Sequence, residues 1–146
     1  AAAPPPPELL AAGRRGYQEW LGGALAGGQL TRRGVHVVEG FALLERFSGR
    51  EAAARQVYQQ AFATAPRPAQ EKSAAYEALH VCHCAALVDM AAGGRGKAPE
   101  VPPREVREAI TSALALYPHS APLMALLAQL DGRAWAAGQL RRDLDA

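Results

Sequence analysis

Aromatic residues are scarce in this sequence, at 6%, and period-two runs of valine, isoleucine and threonine are absent. Both absences argue against a sandwich or barrel, and no segment reads as a strand. No apolar run reaches the roughly 20 residues that span a bilayer. The start, Ala1-Ala-Ala-Pro-Pro-Pro-Pro7, lacks the charged and apolar regions of a signal peptide. It reads as an extended or disordered segment 1–7, and it and the end, Asp143-Leu-Asp-Ala146, both read as cuts through a longer protein. Cysteines number two, Cys82 and Cys84. Two positions apart on a helix they face different ways and cannot bridge, so they read as reduced thiols of a cytosolic or nuclear protein. The formal charge of +2 is too mild to mark a nucleic-acid surface by itself. The arginines do pair, at Arg14–Arg15, Arg32–Arg33 and Arg141–Arg142. Solvated helix ends are the plain reading of these pairs, and a phosphate-contacting stripe is the sharper one.

What is present is alanine-rich helix. Hydrophobic residues make up 49%, many of them alanine, which suits helices packed closely through small side chains. Glu8 to about Gly28 has helical spacing interrupted by five glycines, each costing about 1 kcal/mol relative to alanine, with a break near Gly22 and Trp20 as a packing anchor. Thr31 is a candidate N-cap for a helix from Val35 to Phe47, with Val37, Phe41 and Leu44 as its stripe and Val38 and Ala42 beside it. Ser48-Gly49 turns the chain into a helix that Pro66 ends. The spacing predicts a longer helix over 70–92, with Tyr76, Leu79, Cys82 or His83, Ala86, Leu87 and Met90 on its buried side. A basic glycine-rich loop, 93–103, follows. Pro103 opens Arg104–Tyr117, Pro122 opens a helix to about Leu130, Asp131-Gly132 turns, and Ala134 to about Leu144 closes with Trp135 and Leu140.

Two of these helices are copies. Arg55-Gln-Val-Tyr-Gln-Gln-Ala-Phe-Ala-Thr-Ala-Pro66 aligns without a gap on Arg107-Glu-Ala-Ile-Thr-Ser-Ala-Leu-Ala-Leu-Tyr-Pro118, a shift of 52. The matched pairs are Arg55 with Arg107, Tyr58 with Ile110, Ala61 with Ala113, Phe62 with Leu114, and Pro66 with Pro118. The preceding helices match at a shift of 44, through Phe41-Ala-Leu-Leu-Glu45 and Ala85-Ala-Leu-Val-Asp89, and Asp131 makes a looser third copy at a shift of 42. Spaced copies of a helical unit mark a repeat architecture. The expectation is an all-α domain over 8–146, an α-α superhelix of antiparallel hairpins, with repeats at about 35–66, 70–118 and 122–146.

The order apolar or aromatic, acid, glycine, Ala-Arg-x-x-Tyr-x-x-Ala-Phe/Leu, proline resembles the half-a-tetratricopeptide (HAT) repeat, with the ordinary tetratricopeptide array left open beside it. The fullest copy runs from Phe41 to Pro66 and carries Glu45, Arg55 and Tyr58; the second keeps Asp89, Arg107 and Pro118 but has Ile110 for the tyrosine. The usual tryptophan of the first helix is absent. The resemblance covers about residues 35–146. It implies a non-catalytic scaffold that holds protein subunits in a nuclear RNA-processing or RNA-surveillance complex, with the cytoplasm as second location. Among such proteins the chain looks most like the C-terminal part of the nuclear RNAi-defective family. The resemblance also implies that Glu45 and Arg55 form an ion pair across the hairpin.

The remaining clusters carry less. In His80-Val-Cys-His-Cys84, His80 and Cys84 share a helix face and supply two ligands where zinc needs about four; ordinary packing is the plain reading. No carboxylate stands near in sequence to orient a Cys/His nucleophile, since Asp89 is five residues past Cys84. Gly93-Gly-Arg-Gly-Lys97 lacks the spacing and preceding strand of a phosphate loop. Arg32, Arg33, Arg95 and Lys97 are the candidate RNA contacts of the alternative reading, direct RNA binding. No cofactor, metal or catalytic residue is expected.

Overall fold

A computed structural model describes residues 6–65, 73–92 and 101–145. Among them are α1 (Pro7–Trp20), a π segment (Leu21–Leu25), α2 (Arg32–Phe47), α3 (Glu51–Thr64), α4 (Ala74–Ala92), α5 (Pro103–Leu116) and α6 (Ala121–Asp145), and no strand. None of these helices is long and apolar enough to cross a membrane. Two compact units divide the chain, residues 1–83 and 84–146, and the division falls within α4.

In the first unit α1 opens on Pro7 rather than after it, because a proline at the first helical position loses no hydrogen bond. The helix does not break at Gly22. It widens into the π segment, where Ala26 N–H reaches the Leu21 carbonyl five residues back at 3.0 Å. Thr31 caps α2, its hydroxyl accepting from Gly34 N–H at 3.1 Å. At the far end Arg50 N–H returns to the Glu45 carbonyl and Gly49 N–H to that of Arg46. This is a Schellman closure, and it requires the positive φ of +84° that Gly49 adopts.

α1 and α2 are antiparallel neighbours. Gly13 lies against Phe41 and Leu44, while Trp20 lies against Gly34 at the opposite end. A methyl at Gly13 would stand 2.9 Å from Leu44 Cδ2, so the leucine tip would have to shift to admit it. The buried face of α2 is Val35, Val38, Ala42 and Glu45, with Phe41 and Leu44 half-buried. Val37, expected in the stripe, is exposed. Apolar residues lie on both sides of this helix, so spacing alone does not choose between them. α3 buries Ala54, Val57, Tyr58 and Ala61. α4 runs from Ala74, and Ser73 Oγ accepts from Tyr76 N–H at 3.0 Å; Gln70, the expected start, lies outside the described residues.

In the second unit Cys84, Leu87, Val88, Met90 and Ala91 of α4 are buried, Ala86 is half-buried, and α5 buries Val106, Ile110 and Ala113 against α6. The turn expected at Asp131-Gly132 is absent. α6 continues through both as one helix of 25 residues, so 122–146 is not a helix pair. A mid-helix glycine costs about 1 kcal/mol, and side chains on both sides of Gly132 reach neighbouring helices. Asp131 accepts a hydrogen bond from Arg107, and Arg133 Nη1 donates to the Val88 carbonyl at 3.0 Å. Ser120, buried, precedes α6, with Leu123 N–H 3.4 Å from its hydroxyl.

Candidate functional site

The repeat positions share one register of burial. Ala54, Tyr58 and Ala61 are buried in α3, and Val106, Ile110 and Ala113, each 52 residues on, are buried in α5. Phe62 and Leu114 are half-buried in both. Both helices end alike: Ala65 N–H returns to Ala61 and Tyr117 N–H to Ala113, and proline follows each in the sequence. Pro118 is exposed, whereas Pro66 lies outside the described residues.

The ion pairs differ from the expected one. Glu45, 2% exposed, receives Arg14 Nε at 2.6 Å and Arg14 Nη2 at 3.1 Å. The cation thus comes from the preceding helix, where Arg14 follows the Gly13 that lies against Leu44, the neighbour of Glu45. Arg55 instead bears on His83, whose charged form it disfavours. In the second unit Arg107 donates to Asp131, again linking an arginine helix to the acid of the helix that follows it. Asp89 is exposed.

This arrangement exposes a copy that the spacing of the later helices does not reveal. Ala11-Ala-Gly-Arg-Arg-Gly-Tyr-Gln18 aligns on Ala52-Ala-Ala-Arg-Gln-Val-Tyr-Gln59 without a gap, matching alanine, arginine, tyrosine and glutamine at a shift of 41. α1, α3 and α5 are therefore one kind of helix. α2 packs most extensively on α3, the neighbour expected of it, while the arginine-to-acid links join α1 to α2 and α5 to α6. The tyrosines behave alike: Tyr17 stacks on Phe41 of α2 at 4.6 Å, and Tyr58 lies 5.1 Å from His83 of α4. Burial pushes both phenols far above their ordinary range.

The Arg14–Glu45 pair has an asymmetric consequence. Arg14→Met strands a buried carboxylate, whereas Glu45→Met frees a guanidinium that is 37% exposed and can turn to water. Urea midpoints should therefore fall furthest for Arg14→Met, less for Glu45→Met, and recover in the double variant relative to Arg14→Met. Equal, additive losses would contradict the pairing.

Side chains of the His80–Cys84 stretch pack among the neighbouring helices. His80 lies 4.4 Å from the Phe62 ring and 5.1 Å from that of Tyr76. Cys82 donates its thiol hydrogen to Glu39 Oε2 at 2.9 Å, a partner 43 positions away that sequence spacing does not reveal. Burial, then the bond to Glu39, push the Cys82 thiol up to about 12; burial pushes Cys84 up to about 11. His83 is lowered to about 4, by burial first and then by His80 and Arg55. At neutral pH both thiols are protonated, unlike the thiolate of an activated cysteine nucleophile. Among the described residues no group of three or more His, Cys, Asp or Glu converges to hold a metal. Arg32 and Arg33 are exposed in the first turn of α2, and Arg95 and Lys97 lie outside the described residues. Comparison with protein families, with characterised proteins and with solved structures finds no match.

Proposed function

We propose that this chain is a non-catalytic helical-repeat scaffold of the HAT or tetratricopeptide kind, holding protein subunits of a nuclear RNA-processing or RNA-surveillance complex. The observation that carries the reading is the recurrence of one helix type, with equivalent residues buried in α3 and α5 and the same arginine-to-acid link in α1–α2 and α5–α6. Each such helix pair buries one side and leaves another free, and stacked pairs present extended surfaces for partners. The RNA-processing setting and the nucleus rest on the resemblance of Phe41–Pro66 to the HAT pattern.

A second reading, direct RNA binding, is favoured by one observation, the exposure of Arg32 and Arg33. Affinity purification of the full chain from nuclease-treated nuclear extract separates the two. The scaffold reading expects protein subunits to co-elute after nuclease. Elution of the chain alone overturns it. RNA affinity that falls steeply with salt and weakens on Arg32→Ala with Arg33→Ala would favour the second reading.

A further inference from the structure

The exposed face of α2 is apolar and carries only positive charge. Leu43 and Phe47, one turn apart, are 41% and 70% exposed, and Gly40 beside them has nothing within 4 Å of where a side chain would begin. Arg32 and Arg33 stand exposed at one end of this stripe and Arg50 just past the other. The two acids of α2 both turn inward, Glu39 to the Cys82 thiol and Glu45 to Arg14. The outer face is thus left with no carboxylate of its own helix.

The charges also sit against the helix's own field. The first turn of α2 holds two arginines and no acid, although helix N-termini favour negative charge. A neighbouring carboxylate would relieve that repulsion. Phe47, the most exposed large ring of the first unit, has the size of an interface anchor.

We propose, resting on the scaffold reading, that the Gly40–Leu43–Phe47 face of α2 docks an acidic amphipathic helix of a partner protein. Its apolar side lies along the stripe, Gly40 admits its backbone closely, and its carboxylates meet Arg32, Arg33 and Arg50. The stripe from Arg32 to Phe47 is about 22 Å long at 1.5 Å per residue, enough for about four turns of partner helix.

The test uses the full chain and a fluorescein-labelled peptide of about 18 residues, with leucine at i, i+3, i+4 and i+7 spacing and glutamate between. Its controls are a twin with lysine for glutamate and a scrambled glutamate peptide. The acidic amphipathic peptide is expected to bind saturably, more weakly as salt rises. Leu43→Glu with Phe47→Glu should weaken it at least tenfold. Arg32→Glu with Arg33→Glu should weaken it severalfold and flatten the salt dependence. Both pairs lie on the surface, and an unchanged circular-dichroism spectrum with a cooperative melt shows that each variant is folded. Equal binding of the lysine twin or the scrambled peptide overturns the proposal, as does indifference to both variant pairs. A wild-type dimer in sedimentation that Leu43→Glu with Phe47→Glu dissociates, without peptide binding, makes the face a contact between copies instead. Binding to phosphatidylserine vesicles alone makes it a lipid surface. Partners that still co-purify with the Leu43→Glu, Phe47→Glu chain overturn this surface and leave the scaffold reading standing; a wild-type chain that captures the peptide but no subunit does the opposite.

Discussion

Tyr17→Ala is expected to lower the unfolding free energy by about 3–5 kcal/mol, and Tyr17→Phe by about 1 kcal/mol. Tyr17 is 3% exposed and sits where three elements meet. Its ring stacks on Phe41 and lies 5.8 Å from Trp20 at a tilt. Its hydroxyl donates to the Val57 carbonyl of α3 at 3.0 Å. Alanine would remove the ring that joins α1 to α2 and leave a cavity between helices held apart by other contacts. Phenylalanine keeps the ring and loses one bond, and the Val57 carbonyl retains its place in the helix ladder. Urea unfolding followed by circular dichroism measures both. A Tyr17→Ala loss below about 1 kcal/mol would show that α1 does not belong to this core.

The second large effect is on pH. His83 has its pKa lowered to about 4 from 6.5, chiefly by burial, with His80 and Arg55 adding repulsion and Tyr58 and Phe62 packing beside it. Between those values the unfolded chain takes up a proton that the folded chain refuses. The stability attached to His83 is therefore whole above about pH 6.5 and drains as pH falls toward 4. A tenfold difference in proton affinity between the two states is worth about 1.4 kcal/mol, so the loss approaches about 3 kcal/mol near pH 4. His83→Gln should flatten this slope relative to the wild type, whatever its effect at pH 7.5. Carboxylates titrate equally in both proteins, so the difference between the two pH curves isolates the histidine. Parallel curves would contradict the burial of the ring.

What was legible in the sequence was local. Thr31 as a cap, Gly49 as a left-handed closure and Pro103 as a first-turn residue each act through the adjacent backbone, and each sits where its chemistry places it. What depends on distant neighbours was not legible. Apolar residues lie on most sides of α4, so periodicity picks out Cys82 or His83, both half-buried, and passes over the fully buried Cys84 beside them. Asp131-Gly132 has the composition of a turn, yet it lies within α6, and the arginine that meets Asp131, Arg107, lies 24 positions away. The Arg14–Glu45 pair was hidden for another reason. Its arginine lies in the copy of the repeat helix that the glycines of α1 disguise, with Gly13 where α3 has Ala54 and Gly16 where it has Val57.

The widened turn at Leu21–Leu25 bears on how such a chain tolerates changes of length. A π turn accommodates one residue more than an α turn over a similar rise, and Gly22 and Gly23 within it point into open space. Removing one of these glycines lets the backbone tighten to ordinary α geometry, while Arg14 and Tyr17, a full turn or more upstream, keep their phase around the axis. The loss of a single codon there is then absorbed inside the helix itself, without touching the connections between helices.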